Sequence, residues 1–304
     1  MEDLSVVVEG LGFPEGPIAM ADGSVIVVEI QRQTLTRITP FGAVEVIATL
    51  GGGPNGAAVG PDGAIYVCNN GGFEWQDVGG ALIPGHKPPD YVTGSIQRVD
   101  LKTGAFETLY DSCDGHRLLG PNDLVFDQTG GFWFSDHGKS TEHYKEHGAL
   151  YYARADGSKI TCVRPGLGGA NGVGLSPDER TLYMADTPTG RLWAFDVTAP
   201  GELGPGPAPW LPGRVVCTLP GFQLLDSLKV QADGDVCVGT LVNGGITVFS
   251  DDGRSEHVAF PDLAITNLCF GGADMRDVWA TGSSSGKLYK CRWPKPGLAL
   301  AFNG

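Results

Sequence analysis

The sequence predicts an all-β fold, a six-bladed β-propeller of four-stranded blades, and three observations carry that prediction. Glu15, Asn55, Asn122, Asn171, Asp226 and Asn267 each stand seven positions before a turn signal: Asp22-Gly23, Asp62-Gly63, Thr129-Gly130, Asp178-Glu179, Asp233-Gly234 and Asp274-Met275. A short run of β-branched and aromatic residues follows every turn, the composition that strands favour. The last unit stops one strand short at Lys287–Trp293, while the chain begins with an unassigned strand-like segment, Leu4–Glu9. Borrowing that segment as the outer strand of the last blade closes the ring and removes an open edge.

Taken in order, the runs after the turns are Val25–Val28, Ile65–Cys68, Phe132–Phe134, Leu182–Met184, Val236–Val238 and Val278–Ala280. Second strands follow, as at Ser95–Val99, Ala149–Ala153, Arg191–Phe195, Gly245–Phe249 and Lys287–Cys291. Third runs come next, as at Phe106–Tyr110, Lys159–Val163, Val215–Leu219 and Glu256–Phe260. With the segment holding the oxygen-bearing residue, each unit has four short strands. Repeat lengths of about forty to nearly seventy residues suit propellers and arrays. Glycine supplies 47 of 304 residues, about twice the usual ~7%, as many tight turns require. No long amphipathic helix is legible, and the Pro/Gly-rich stretch Pro200–Gly213 reads as a surface loop. A ring of repeats is one unit, so residues 1–304 are expected to form a single domain.

The formal charge of −14 argues against nucleic acid and anionic membrane surfaces as partners. No apolar stretch approaches the ~20 residues of a membrane span, and the N-terminus lacks the pattern of a secretory signal. Seven cysteines are scattered singly, with no CxxC. Most sit inside apolar runs, which suits a reducing compartment and predicts a cytoplasmic protein.

Chain direction locates the expected site. The oxygen-bearing residue starts the first strand of its blade, so the loops after each second strand, and those just before each oxygen-bearing residue, lie on the same face. The longest of these, Asn69–Gly94, Asp111–Pro121 and His137–Gly148, hold Trp75, Arg117, His137, Tyr144 and five of the six histidines. Function concentrates on such an elaborated face. A ring of carboxylate and amide oxygens, with no His or Cys among its six members, suits a hard divalent cation. A purely structural alternative stands beside this reading: a polar residue at the head of each inner strand also serves to hydrogen-bond the neighbouring blade, above all at Asn55 and Asn267. For Glu15 and Asp226 that alternative is weaker, because two carboxylates converging on one axis repel each other.

Four segments then carry a resemblance. Phe13-Pro14-Glu15-Gly16-Pro17, Gly120-Pro121-Asn122-Asp123-Leu124, Gly169-Ala170-Asn171-Gly172-Val173 and Leu225-Asp226-Ser227-Leu228 resemble the signature segments of the gluconolactonase family, which includes regucalcin and luciferin-regenerating enzyme, with diisopropylfluorophosphatase as a more distant relative. The likeness covers essentially the whole chain. It implies a six-bladed propeller holding one divalent cation, Ca²⁺ first, with Zn²⁺, Mn²⁺ or Mg²⁺ as alternatives. Glu15, Asn171 and Asp226 would be ligands, and Asn122 a ligand or a substrate contact. It implies a metal-dependent hydrolase opening a small-molecule lactone, with Asp226 as general base and His137 assisting proton transfer. Asn55, Asn267, Trp75, Arg117 and Tyr144 are the expected substrate-side residues. Organophosphate ester hydrolysis, a Lewis-acid lyase or cyclisation reaction, and a non-catalytic calcium-binding propeller are the alternatives at the same site. One departure stands out. Regucalcin has a substrate-contacting arginine two residues before the asparagine matching Asn122, and here that position is Gly120. The aromatic-rich loops suit a less polar substrate than a sugar lactone.

Overall fold

The computed structural model describes residues 1–302. Six antiparallel sheets follow one another along the chain, each with its strands in sequence order from the centre outward. Blade 1 comprises Pro14–Ala19, Val25–Glu29, Thr34–Ile38 and Val44–Thr49, and blade 2 Pro54–Val59, Ile65–Asn69, Ser95–Val99 and Phe106–Tyr110. Blade 3 comprises Pro121–Phe126, Gly131–Asp136, Gly148–Arg154 and Ile160–Leu167, and blade 4 Ala170–Leu175, Thr181–Asp186, Arg191–Ala199 and Arg214–Thr218. Blade 5 is Leu224–Val230, Val236–Leu241, Gly245–Phe249 and Ser255–Ala259. Blade 6 is Ile265–Gly271, Asp277–Gly282, Lys287–Arg292 and, as its outer strand, the N-terminal segment Glu2–Val8. The predicted closure therefore forms, shifted toward the N-terminus, with Val6 opposite Tyr289 and Val8 opposite Leu288.

The core lies between blades rather than within them. Trp133 and Leu150 of blade 3 pack on Leu182, Met184 and Phe195 of blade 4, and the other blade pairs repeat this arrangement. Alternating side chains on each strand give both faces of a blade something to bury.

Two features depart from the sequence reading. The stretch Pro200–Gly213 is not all loop: Glu202–Leu203 folds back as a short strand on the extended strand Arg191–Ala199. The three long loops on the oxygen-bearing face are each built around a hairpin: Trp75–Val78 with Ala81–Pro84, Ser112–Cys113 with His116–Arg117, and Lys139–Ser140 with Lys145–Glu146. Local cross-strand pairing gives them defined shapes.

The C-terminal residues do something that no periodicity signals. After blade 6, Gly297 N–H donates to Met275 O (2.7 Å) and Leu298 N–H to Val230 O (2.9 Å). Phe302 then packs edge-on against Phe126, ring centroids 5.7 Å apart. The tail thereby covers the end of the central channel opposite the oxygen residues. Above it lies an apolar cavity of about 60 Å³, lined by side chains from the inner strands of all six blades, among them Ile18, Val59, Phe126, Leu175 and Val230.

Candidate metal centre

All six oxygen-bearing residues lie near the start of an inner strand, and in every blade the pairing register breaks there. The breaks fall between Glu15 and Ile18, Pro54 and Ala57, Pro121 and Leu124, Ala170 and Val173, Leu225 and Leu228, and Ile265 and Asn267. A β-bulge at a strand end re-aims a side chain that the pleat would otherwise direct into the sheet packing. Repeated six times, it brings six polar side chains to one level of the channel.

The next residue sets how tightly the ring closes. A Cβ on Gly16 (φ +51°) would stand 2.6 Å from Asn55 O, and one on Gly56 2.4 Å from Asn122 O. These glycines let the inner strands approach closer than any side chain permits. In blade 3 the same position is Asp123, whose buried carboxylate pairs with Lys229 Nζ at 3.3 Å. That internal ion pair went unrecognised in the sequence, although Asp123 lies within one signature segment and Lys229 directly follows another.

Within the ring, Glu15 is 2% exposed. Its Oε2 accepts hydrogen bonds from Gly16 N–H and Asn267 Nδ2, both at 2.7 Å. Its Oε1 is buried with no partner. Asn122 Oδ1 is likewise buried and unpartnered. Asn171 donates through Nδ2 to Thr187 Oγ1 (3.0 Å), which orients its amide and leaves Oδ1 with only a long contact from Ser227 Oγ (3.5 Å). Asp226 is half-buried, opening on the confined channel. Burial raises the Glu15 carboxyl to about 7, above its ordinary 4.5, despite the Thr266 hydroxyl, the Asn267 amide and the Gly16 N–H, which favour its charged form. Burial first, and then repulsion from Glu15, push Asp226 well above 3.8. Two carboxylates that cannot comfortably ionise together, beside two orphaned acceptor oxygens, form a donor set deficient in positive charge.

A hard divalent cation fits that deficiency. Among the described residues no group of three or more His, Cys, Asp or Glu assembles that could hold a metal. The oxygens of Glu15, Asn122, Asn171 and Asp226 are the acceptors available, a set that favours Ca²⁺, Mg²⁺ or Mn²⁺ over a thiolate- or imidazole-bound ion.

The remaining expected site residues are distributed more widely. Asn267 is fully buried, and its amide is spent on Glu15 and on the Leu268 N–H (2.8 Å). It positions Glu15 rather than presenting a face to the channel. Asn55 is 6% exposed at the ring level. Trp75 packs on Phe13 (5.1 Å) and Phe73 (6.2 Å), forming an aromatic cluster beside the Pro14-Glu15 segment. Arg117 is exposed and donates to Val92 O (2.9 Å). With His116 it borders a separate cavity of about 560 Å³ that also contains Cys113, Tyr151 and Cys162. Tyr144 is 57% exposed at the hairpin tip, its ring 5.9 Å from Lys87 Nζ.

His137 lies against blade 4: a Cβ on Gly169 would be 3.3 Å from its Cε1. Its Nε2 is 3.2 Å from Lys145 Nζ. Burial, followed by Lys145 and Lys139, lowers its pKa to about 3, so the imidazole is neutral. Among the described residues its Nδ1 is buried without a hydrogen-bond partner. Lys139 and Lys145 were missed in the sequence reading because single lysines in a polar loop have no distinguishing pattern. Gly120 has a structural explanation. Its N–H donates to Asp136 Oδ1 (2.7 Å), and a Cβ there would meet Gly138 O at 2.7 Å. No arginine fits at this position without moving the hairpin.

Comparison with known proteins agrees with this geometry. Residues 13–284 match the SMP-30/Gluconolactonase/LRE-like region. A gluconolactonase of Zymomonas mobilis is 24% identical over 303 residues, covering 88% of this chain and 76% of that protein. A lactonase of Staphylococcus saprophyticus is 28% identical over 201 residues, covering 66% of this chain and about half, 54%, of its own length. The solved structure of a calcium-binding protein, regucalcin from Agrobacterium tumefaciens, superposes with a TM-score of 0.72 at 18% identity, covering 98% of each chain. With four signature segments at one level of the channel and a family match across most of its length, the chain belongs to the SMP-30/gluconolactonase/LRE-like family.

Proposed function

We propose that this protein is a divalent-cation-dependent lactonase. The observation that carries the reading is the pair of buried, unpartnered oxygens, Glu15 Oε1 and Asn122 Oδ1, together with the repulsion between the Glu15 and Asp226 carboxylates. Such a site is costly unless a cation completes it. Relatives named gluconolactonase and lactonase support a lactone as substrate, and regucalcin's calcium binding supports Ca²⁺.

Glu15, Asn122, Asn171 and Asp226 would hold the ion. When bound, it supplies Lewis acidity to a carbonyl oxygen. The chain's own residues do the rest. Asp226, the ring carboxylate open to the channel, accepts a proton from the attacking water. Asn267 and Gly16 hold Glu15 through its Oε2, so that Oε1 remains directed at the ring. Thr187 fixes the Asn171 amide. The buried inner strands limit water around the reacting groups. His137 has its Nε2 engaged with Lys145, which leaves Nδ1 as the ring nitrogen through which it would assist proton transfer. The seven unpaired cysteines support a reducing, cytoplasmic setting.

The test is a panel of lactones and one organophosphate ester, assayed before and after exhaustive chelation and after Ca²⁺ is restored. Lactone hydrolysis that is lost on chelation and recovers with Ca²⁺ is expected. Hydrolysis that survives complete cation removal sinks the proposal.

A further inference from the structure

The hairpin formed by Lys139–Ser140 and Lys145–Glu146 stands on the oxygen-bearing face, and the amines around it have different surroundings. Lys139 is buried, and although it too has no carboxylate within 4 Å among the described residues, its Nζ donates to Gly72 O at 2.6 Å and lies 4.1 Å from the Phe73 ring centroid. Lys87 pairs with Glu146 at 3.4 Å. Lys145 differs. Its ammonium contacts His137 Nε2 at 3.2 Å, and among the described residues no carboxylate lies within the 4 Å of an ion pair.

Nearby acids do not neutralise it. Both oxygens of Asp136 are committed to the backbone N–H groups of Leu119, Gly120 and Gly138, at 2.7 to 2.8 Å. Asp186 attracts Lys145 from beyond ion-pair distance; its Oδ2 accepts from the Trp193 indole at 3.3 Å, while its Oδ1 is buried without a partner. The imidazole beside Lys145 is neutral. A partly buried cation without a counter-ion is unusual in a protein carrying −14, and burial makes such a charge costly unless a partner arrives. Its place is informative too. The imidazole that orients it rests on Gly169, two residues before Asn171. The ammonium therefore belongs to the sector of blades 3 and 4 bordering the ring, away from the Phe13–Phe73–Trp75 cluster on the side of blades 1 and 2.

We propose that Lys145, oriented by His137, determines specificity at this site, and that the substrate is a lactone bearing a carboxylate. The carboxylate pairs with the Lys145 ammonium while the apolar part of the ring lies toward the aromatic cluster. This rests on the lactonase reading above and narrows it. A charge-assisted hydrogen bond of this kind is a strong one.

The experiment compares two lactones with the same ring, one bearing a free carboxylate and the other the corresponding carboxamide, in the presence of Ca²⁺. Wild-type protein should favour the carboxylate by roughly 10- to 100-fold in kcat/KM. In Lys145→Met that preference should collapse to within about twofold of unity, through KM, with Lys145→Arg restoring part of it. Equal turnover of the two lactones by wild-type protein overturns the proposal and leaves the lactonase reading standing. So does a Lys145→Met variant that loses both activities in proportion. If neither lactone reacts, the lactonase reading fails. Calorimetry with the ring-opened dicarboxylate then judges Lys145 alone: binding abolished in Lys145→Met sustains the anion site, and equal or absent binding overturns it.

Discussion

Removing the cation from the ring should make folding stability fall as pH rises, and Glu15 sets the size of the effect. In the cation-free protein, burial raises this carboxyl from 4.5 to about 7. The folded state then holds a proton that the unfolded chain has released, so stability is highest below about 4.5 and declines until pH passes about 7. At ~1.4 kcal/mol per pH unit, the loss is about 3 kcal/mol. Glu15 is 2% exposed, so solvent screening takes little from it. Asp226, pushed up by burial and by Glu15, acts in the same direction, and Glu15→Gln also removes that repulsion; two other groups act in the opposite direction. His137, lowered to about 3, and Lys139, lowered to about 7, make the folded state less tolerant of acid, so stability from these two rises with pH. The comparison must therefore be between wild type and Glu15→Gln, which keeps these groups and removes the carboxyl. Thermal unfolding of chelated protein at pH 5 and pH 8 is the assay. From pH 5 to pH 8 wild type should lose about 2.5 kcal/mol more than Glu15→Gln, a difference of several degrees in Tm. Calcium should reverse this loss in wild type at pH 8 and act weakly at pH 5, where protons compete for the same oxygens. Parallel pH profiles for the two chelated proteins would refute the reasoning.

Three further outcomes follow from named contacts. Asp226→Asn should lower kcat for lactone hydrolysis by roughly 10²- to 10⁴-fold with a native melting curve, whereas Asn55→Ala should be milder; a rate within twofold of wild type in Asp226→Asn would remove its role as base. Asn267→Ala takes away one of two hydrogen bonds on Glu15 Oε2, and should cost about 1–3 kcal/mol in stability and weaken calcium binding in a calorimetric titration. Gly120→Arg should displace the hairpin, because even its Cβ approaches Gly138 O at 2.7 Å; a loss of about 1–3 kcal/mol is expected, read by denaturant unfolding.

The sequence was most legible where repetition amplified a weak local signal. A single turn signal before an apolar run predicts only a strand, but six such turns in phase with six oxygen-bearing residues predict a closed ring. The N-terminal outer strand was legible because the last unit lacked one. The roles within the ring were less so. Asn55 and Asn267 share one repeat address, yet Asn267 is spent on Glu15 across the junction of blades 6 and 1, a contact 252 residues apart in the chain. The Asp123–Lys229 pair spans 106 residues and was invisible for the same reason. Lys145 had no sequence pattern at all.

By itself, then, the chain's order of turns and apolar runs determined the propeller, the closure of its ends and the level at which oxygens gather, because these depend on local backbone preferences repeated at intervals. The tertiary structure alone decided which oxygens remain unpartnered, which asparagine supports a carboxylate, where the C-terminal tail covers the channel and that the ammonium of Lys145 meets an imidazole rather than a carboxylate. Those properties depend on burial and on charges brought together from distant blades, and both arise only when the ring has closed.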